Sequence, residues 1–270
     1  MNPGTHVRAL PRSHSPRIHP WVHAFLVRYA NWMLRRQFQA IRLARCGPPP
    51  RVSSERPLII YLNHTSWWDP LVALWLAERF LPDRHHYGPM EAAQLRRYGI
   101  LRHIGIFGVE KGLAGARGFL ETSKELLARP GAVLWLTPQG RFVDVRERPV
   151  RFAPGLLRLM AQVPEALCVS LALEFGFAKE RLPEIRIRFG PALSARALSA
   201  ESQDLGAGSA IERELQSNQE ALARIVCADV PGTFETLSHT TSGVSLPYDL
   251  WRRIRSACFG GSIELNHSGS

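Results

Sequence analysis

The chain has 270 residues, of which 45% are apolar and 21% charged, and its formal net charge is +11. This composition is ordinary for a globular protein that buries a sizeable core, and no apolar stretch is long enough to span a bilayer. The excess of positive charge favours an anionic partner, such as nucleic acid, a lipid headgroup surface, or an acidic cofactor or carrier.

The positive charge is concentrated in the N-terminal arm, before residue 57. This segment has one acidic residue, Glu55, and ten arginines, so it contributes ten minus one, or nine, of the eleven net charges. The arginines are Arg8, Arg12, Arg17, Arg28, Arg35, Arg36, Arg42, Arg45, Arg51 and Arg56. The rest of the chain is nearly balanced, so the basic character belongs to the arm and not to the body.

The cysteines and the first residues indicate the compartment. Four cysteines lie far apart, without the CxxC spacing of a zinc site or the pattern of a disulfide framework, which predicts a reducing compartment. Residues 1–20 are rich in Pro, His and Arg and are expected to form a disordered tail. They lack the apolar region of a secretory signal. We therefore expect the protein at the cytoplasmic face of a membrane, as a peripheral or monotopic protein.

Residues 21–46 are predicted to form one amphipathic helix, which ends at Cys46-Gly47 and three prolines. Spacings of three and four residues place Arg28, Asn31, Arg35, Gln39 and Arg42 on one polar face. The opposite side is apolar and is flanked by Trp21, Phe25 and Trp32. An arginine-faced helix rich in aromatic residues is typical of a membrane interface. The alternative is that its apolar side docks on the core of the domain.

Short apolar runs alternate with helical patterns over residues 50–230, which predicts an α/β domain with a largely parallel central sheet flanked by helices. The predicted strands lie near 57–62, 84–88, 105–109, 132–136, 167–173 and 184–189. The predicted helices lie near 67–80, 91–98, 113–128, 154–163 and 208–227. The last strand, EIRIRFG, alternates polar and apolar residues, so we expect it towards an edge of the sheet. Residues 231–270 are expected to form a flexible tail.

His64 and Asp69 directly follow the predicted strand LIIYL, at the carboxyl end where open α/β sheets bind their ligands. A neutral imidazole can remove a proton from a hydroxyl when a carboxylate fixes its tautomer and stabilises the resulting imidazolium. The four residues between them allow the chain to turn from strand into helix and return the carboxylate to the ring. The alternative is a helix-capping aspartate, with Pro70 at the first helical position, beside an unconnected histidine.

The heptad NHTSWWD, residues 63–69, resembles the N-H-x-S-x-x-D block of the glycerolipid acyltransferase family, which includes lysophosphatidate acyltransferases. The resemblance implies that His64 is the catalytic base and that Asp69 orients it. Asn63, Ser66 and Gly140 are candidates for substrate binding, through stabilisation of the oxyanion that develops on the thioester.

Later segments follow in the order of the family. GIFGVEK, residues 105–111, is similar to the block G-x-x-F-x-x-R, with Lys111 where an arginine would bind the acceptor's phosphate. LTPQGRFV, residues 136–143, is similar to F-P-E-G-T-R-S, with Gln139 in place of the glutamate and Arg141 displacing the threonine. The resemblance covers roughly residues 57–227. The expected phosphate site either uses Lys111, Gln139, Gly140 and Arg141 or is rebuilt around Arg141 or Arg146.

The resemblance implies an O-acyltransferase that moves a fatty acyl group from acyl-CoA or acyl carrier protein to a hydroxyl of a lysophospholipid-like acceptor such as lysophosphatidate. It implies no acyl-enzyme nucleophile, no metal and no bound cofactor. A glycolipid or amino-acid lipid is the alternative acceptor, since the second and third blocks differ from the family pattern. The expected partners are membrane lipid headgroups, the lysolipid and the acyl donor, and nucleic acid is not expected.

Other readings of these residues are less favoured. A non-catalytic membrane- or nucleic-acid-binding module on the same fold has no need of an intact His–Asp pair. A serine hydrolase lacks support because the sequence has no G-x-S-x-G elbow. His85 and His86 have no Cys, Asp or Glu at ligand spacing, so no metal site is predicted. Trp67 and Trp68 either line a substrate pocket or pack against the sheet and the arm, and packing is expected for at least one.

Overall fold

An eight-stranded sheet carries helices on both faces in the computed structural model, which describes residues 16–203 and 209–240. The strands are β1 (Ala40–Ala44), β2 (Leu58–Leu62), β3 (His85–Glu91), β4 (Ile106–Val109), β5 (Ala132–Leu136), β6 (Leu167–Gly176), β7 (Glu184–Ser194) and β8 (Phe234–His239). The helices are α1 (Pro20–Gln37), α2 (Asp69–Phe80), α3 (Ala92–Arg97), α4 (Gly112–Leu127), α5 (Gly155–Gln162), α6 (Ala195–Gln203) and α7 (Ala210–Ala228), with a 3-10 helix over Gly99–Ile104. The predicted α/β class with a largely parallel sheet and an N-terminal helix is confirmed.

The strand order β4-β3-β5-β2-β6-β7-β1-β8 brings the carboxyl ends of five strands together. Each neighbouring pair from β4 to β6 is parallel. Strand β7 is antiparallel to β6 and parallel to β1, and β8 is antiparallel to β1. Because β2 is flanked by the parallel strands β5 and β6, the residues that follow β2 lie in the middle of this edge. We call it the carboxyl edge of the sheet.

Strand β2 is buried on both faces, which explains why its sequence LIIYL is continuously apolar. Leu58, Ile60 and Leu62 pack in a core with residues of α1 and α2. Ile59 and Tyr61 pack in a second core with residues of α4, α5 and α7. The strand therefore holds its carboxyl end in a fixed position from both sides.

The predicted helix over residues 21–46 is too long. Helix α1 ends at Gln37, and Ala40–Ala44 forms β1 inside the sheet, between β7 and β8. Ile41 and Leu43 face the core that α1 and α2 cover, while Arg42 lies opposite and pairs with Glu184 at 2.8 Å. Over so few residues the alternation AIRLA fits one face of a helix as well as a strand, and tertiary pairing decides between them.

The alternation of polar and apolar residues in β7 predicted a strand towards an edge of the sheet, and this prediction is wrong. Strand β7 lies between β6 and β1, and two of its polar residues, Glu184 and Arg186, form ion pairs with the neighbouring strands. Arg186 lies 3.4 Å from Glu174 of β6 and 3.4 Å from Glu184. Two strands complete the sheet beyond β7, and both come from segments predicted as helix or tail. Strand β8 occupies residues 234–239 of the predicted C-terminal tail, and residues 241–270 and 1–15 lie outside the described residues.

Candidate active site

The heptad of residues 63–69 folds as a turn that connects β2 to α2. The Asp69 N–H donates to the carbonyl of Ser66 at 3.1 Å, and Pro70 follows in the first turn of α2. A proline is tolerated there because its missing N–H has no partner in a helix that is just beginning. The turn returns the Asp69 side chain to the end of the strand.

His64 and Asp69 are hydrogen-bonded, with 2.8 Å between His64 Nδ1 and Asp69 Oδ2. The Asp69 side chain is fully buried, and the same oxygen accepts the backbone N–H groups of Thr65 at 2.9 Å and Ser66 at 3.1 Å. These donors precede α2, and no side chain caps the helix. The carboxylate therefore holds the histidine and the turn, and the capping alternative does not describe it.

This geometry defines which ring nitrogen of His64 is available. A carboxylate oxygen only accepts, so Nδ1 must carry the proton in the bond to Asp69. In the neutral ring Nε2 then has a free lone pair, as a general base requires. The His64 side chain is partly exposed, whereas its partner is buried. The arrangement can accept a proton from a ligand and stabilise the resulting cation.

Gln139 holds the backbone of His64. Its Oε1 accepts the His64 N–H at 2.8 Å, and the Val143 N–H donates to the His64 carbonyl at 2.8 Å. Gly140 forms the turn between these contacts with φ of 68°, a conformation that favours glycine. The segment after β5 is therefore attached to both sides of His64. Gln139, which was predicted to bind substrate, contacts the His64 backbone through its side-chain oxygen.

Phe142 covers one side of the imidazole. The two ring centroids are 4.3 Å apart with an interplanar angle of 36°, and Phe142 is 58% exposed. Counted from Pro138 and Gly140, Phe142 occupies the arginine position of the F-P-E-G-T-R-S pattern. Sequence reasoning missed this residue, although the replacement of a cation by an aromatic ring at that position was a visible signal.

The cations predicted to bind phosphate each lie beside a carboxylate. Lys111 is 3.1 Å from Glu91, and Arg141 is 2.6 Å from Glu147. Arg146 is 2.9 Å from Asp144. Lys111 follows β4, three strands from β2, a separation of roughly 14 Å at ordinary strand spacing. The structure places Lys111 on the carboxyl edge and does not bring it into contact with His64.

Asn63 and Ser66 hydrogen-bond to the backbone. Asn63 is fully buried, its amide nitrogen donates to the Leu173 carbonyl at 2.8 Å, and its oxygen accepts the Leu173 N–H at 2.8 Å. The Ser66 hydroxyl accepts the Trp68 N–H at 3.3 Å. Asn63 therefore attaches the end of β2 to β6 from a buried position, and its role in binding substrate stays a prediction.

The two tryptophans of the heptad differ in environment. Trp68 packs edge-on against Phe38, with ring centroids 5.1 Å apart. Trp67 lies against Trp68, with ring centroids 4.3 Å apart and an interplanar angle of 32°, and is 57% exposed. Trp68 packs against the end of the arm as expected, and Trp67 presents an aromatic surface at the carboxyl edge.

His86 is held as a neutral ring. The Trp135 indole N–H donates to its Nδ1 at 3.1 Å, and its Nε2 lies 2.9 Å from the Leu81 carbonyl. Burial lowers the pKa of His86 to about 4. Among the described residues there is no group of three or more His, Cys, Asp or Glu side chains that could hold a metal ion.

The Asn63 clamp makes a prediction about stability. Asn63→Ala leaves the buried N–H and C=O of Leu173 without partners, and each unpaired group costs about 1–3 kcal/mol. We expect the free energy of unfolding to fall by roughly 2–6 kcal/mol in urea denaturation. Gln162→Ala, which removes an exposed amide from α5, is the control and is expected to change little. If Asn63→Ala unfolds with the same urea midpoint as the wild type, the two hydrogen bonds of Asn63 do not hold β2 to β6.

Comparison with known proteins identifies the family of the chain and a similar fold. The sequence model of the acyltransferase family matches residues 30–173, just over half of the chain. The crystal structure of the 1-acyl-sn-glycerophosphate (LPA) acyltransferase, PlsC, from Thermotoga maritima has a similar fold. It is 12% identical, the match covers 77% of this chain and 80% of that chain, and the TM-score is 0.50. No curated protein sequence is significantly similar. The family and the enzyme class predicted from the heptad are confirmed, and the chain belongs to the acyltransferase family.

Proposed function

We propose that this acyltransferase moves a fatty acyl group from an acyl thioester, on coenzyme A or acyl carrier protein, to a hydroxyl of a single-chain lipid, with His64 as the general base. The observation that carries the proposal is the 2.8 Å bond between His64 and the buried Asp69 at the carboxyl edge. The acceptor expected from the family resemblance is a lysophospholipid such as lysophosphatidate.

The proposed reaction needs no covalent intermediate on the enzyme. His64 Nε2 takes the proton of the acceptor hydroxyl as its oxygen attacks the thioester carbonyl. The tetrahedral intermediate collapses, the carbon–sulfur bond breaks, and the imidazolium returns its proton to the leaving thiolate. Asp69 stabilises the imidazolium between these steps. General-base catalysis of this kind contributes about 10²–10⁴-fold, so positioning and oxyanion stabilisation supply the remainder.

A second class of acceptor is favoured by Phe142. The hydrocarbon ring lies against His64 where the family pattern has an arginine, and Lys111, Arg141 and Arg146 each face a carboxylate. An apolar surface beside the base suits an acceptor that has no phosphate next to its reacting hydroxyl. A glycolipid or an amino-acid lipid has this character.

Attachment to a membrane is supported by exposed apolar residues around the carboxyl edge. The residues are Leu113, Trp67, Phe142 and Phe177, which are 87%, 57%, 58% and 73% exposed. They follow the carboxyl ends of β4, β2, β5 and β6, so they lie at the same edge as His64. No helix of the described part of the chain is long and apolar enough to cross a membrane. We propose peripheral or monotopic attachment at the cytoplasmic face, with this edge towards the headgroups.

The experiment that tests the function is a mass-spectrometric screen. The purified chain is incubated with acyl-CoA or acyl carrier protein and a panel of lysolipids, glycolipids and amino-acid lipids. We expect one acceptor to gain the mass of a fatty acid less water, because the acyl group replaces the hydrogen of its hydroxyl. His64→Ala is expected to abolish this product, and Asp69→Asn to slow it by about 10²–10⁴-fold. His85→Ala, which removes an exposed histidine on β3, is the control, and wild-type turnover in His64→Ala would exclude the mechanism.

The role of Phe142 in choosing the acceptor is tested by Phe142→Arg. A hydrogen bond to a charged group is worth about 1.5–3 kcal/mol, so the added cation should raise the ratio of kcat/KM for lysophosphatidate over a neutral acceptor by about tenfold or more. Phe142→Leu keeps an apolar side chain and should leave the ratio near that of the wild type. If Phe142→Arg does not change the ratio, Phe142 has no part in selecting the acceptor.

A further inference from the structure

A second candidate binding site lies away from His64, in a groove between α1, α2 and β8. The groove has a volume of about 670 Å³. Its lining includes three arginines, Arg28 and Arg35 of α1 and Arg79 of α2, and one acidic residue, Glu78. Three positive charges and one negative charge give this lining a net charge of +2. Such a concentration of charge attracts an anionic ligand.

The three arginines are free to bind a ligand. In the part of the chain that the structure describes, none of them has a carboxylate within ion-pair distance. Arg79 lies over the Trp75 ring, 5.4 Å from its centroid, which leaves the edge of its guanidinium available. The exposed arginines near His64 differ in this respect, because Arg141 and Arg146 are paired with acids.

Asn31 adds neutral donors to the same groove. The Trp75 indole N–H donates to Asn31 Oδ1 at 3.3 Å. An indole nitrogen only donates, so this bond fixes the amide with its oxygen towards Trp75. The Asn31 amide nitrogen has no partner among the described residues and is available to a ligand. Arginine and amide N–H groups together are suited to the oxygens of a phosphate.

The groove adjoins an exposed aromatic stripe on α1. The stripe consists of Trp21, Phe25, Tyr29 and Trp32, spaced by four, four and three residues. It lies on the side of the helix opposite the buried Ala30 and Leu34. The structure therefore turns Asn31 of the predicted polar face towards α2 and leaves the aromatic residues exposed. Arg28 and Asn31 line both the groove and a neighbouring hollow of about 630 Å³ that Phe25, Tyr29 and Trp32 line.

We propose that this groove binds the phosphate of an anionic phospholipid headgroup, while the aromatic stripe lies beside it at the boundary between the headgroups and the acyl chains. The inference rests on the proposed attachment to a membrane. A free phosphate and the phosphates of coenzyme A share the same chemistry, but a phospholipid in a bilayer also presents an extended interface to the four exposed aromatic residues beside the arginines. Tryptophan and tyrosine are the residues that sit at the headgroup level of membranes.

The test compares two triple variants of the full chain that carry the same change in charge. Arg28, Arg35 and Arg79 are changed to glutamine in one. The exposed Arg117, Arg158 and Arg224 of α4, α5 and α7 are changed to glutamine in the other; these helices belong to the opposite face of the sheet. Co-sedimentation is measured with phosphatidylcholine vesicles that contain or lack phosphatidylglycerol. A basic residue near an anionic surface is worth about fivefold in affinity.

We expect the groove variant to bind phosphatidylglycerol vesicles at least about tenfold more weakly than the wild type, and the control variant less than about twofold more weakly. Asn31→Asp keeps the Trp75 bond and adds a negative charge, so it should also weaken binding. It provides the test if the triple variant does not fold. Equal losses in the two triple variants would show diffuse attraction and overturn the site.

Further arms separate this site from the other proposals. If inorganic phosphate or coenzyme A binds the wild type but not the groove variant in calorimetry, a soluble phosphate ester is the ligand and the lipid assignment is wrong. If the wild type binds neither kind of vesicle, the proposed membrane attachment fails together with the site. His64→Ala should bind vesicles like the wild type, so loss of acyl transfer alone leaves the inference intact. Trp21→Ser with Trp32→Ser should weaken binding to both kinds of vesicle.

Discussion

One carboxylate oxygen holds the candidate site together. Asp69 Oδ2 accepts the His64 ring and the backbone N–H groups of Thr65 and Ser66, all from residues of the same turn. A buried charge is costly unless it is paired and hydrogen-bonded. Three donors to one oxygen supply that stabilisation, and they fix the ring and the turn in the same step. The position of the base therefore depends on a charge that the turn itself encloses.

The surrounding strands hold this turn in place. Asn63 attaches the end of β2 to β6, and Gln139 attaches the His64 backbone to the segment after β5. The parallel order β5-β2-β6 brings these segments to one edge of the sheet. The sequence differs from the family pattern at Gln139 and Phe142. Gln139 accepts a backbone N–H, for which a neutral acceptor suffices, and the Phe142 ring packs against the imidazole of His64. These differences affect the surface that faces the acceptor more than the base and its carboxylate.

The sequence predicts the elements whose signals are local. The continuous apolar run LIIYL predicts a strand buried on both faces, and the spacing of His64 and Asp69 predicts their contact. Strand β1 could not be predicted because AIRLA is compatible with a helix, and its place between β7 and β8 depends on residues more than a hundred positions away. The contact of Gln139 with His64 joins residues 75 positions apart. Such pairings follow from the order of the strands, which no local pattern encodes.

The exposed aromatic residues suggest how the two candidate sites cooperate. The carboxyl edge presents Trp67 and Phe142 beside the base, and α1 presents its aromatic stripe beside the arginine groove. The C-terminal end of α1 leads through Phe38 to Trp68, so the two surfaces are connected by packed side chains. In the proposed arrangement, one surface holds the enzyme on the lipid and the other receives the acceptor. The most direct test of the central claim is the tautomer of His64, measured from its ring-nitrogen chemical shifts in the histidine-labelled chain and assigned by comparison with His64→Gln. In the neutral ring we expect a protonated Nδ1 and an unprotonated Nε2, and a shift of this preference in Asp69→Asn. A neutral ring protonated on Nε2 would contradict the claim that Asp69 prepares His64 as the base.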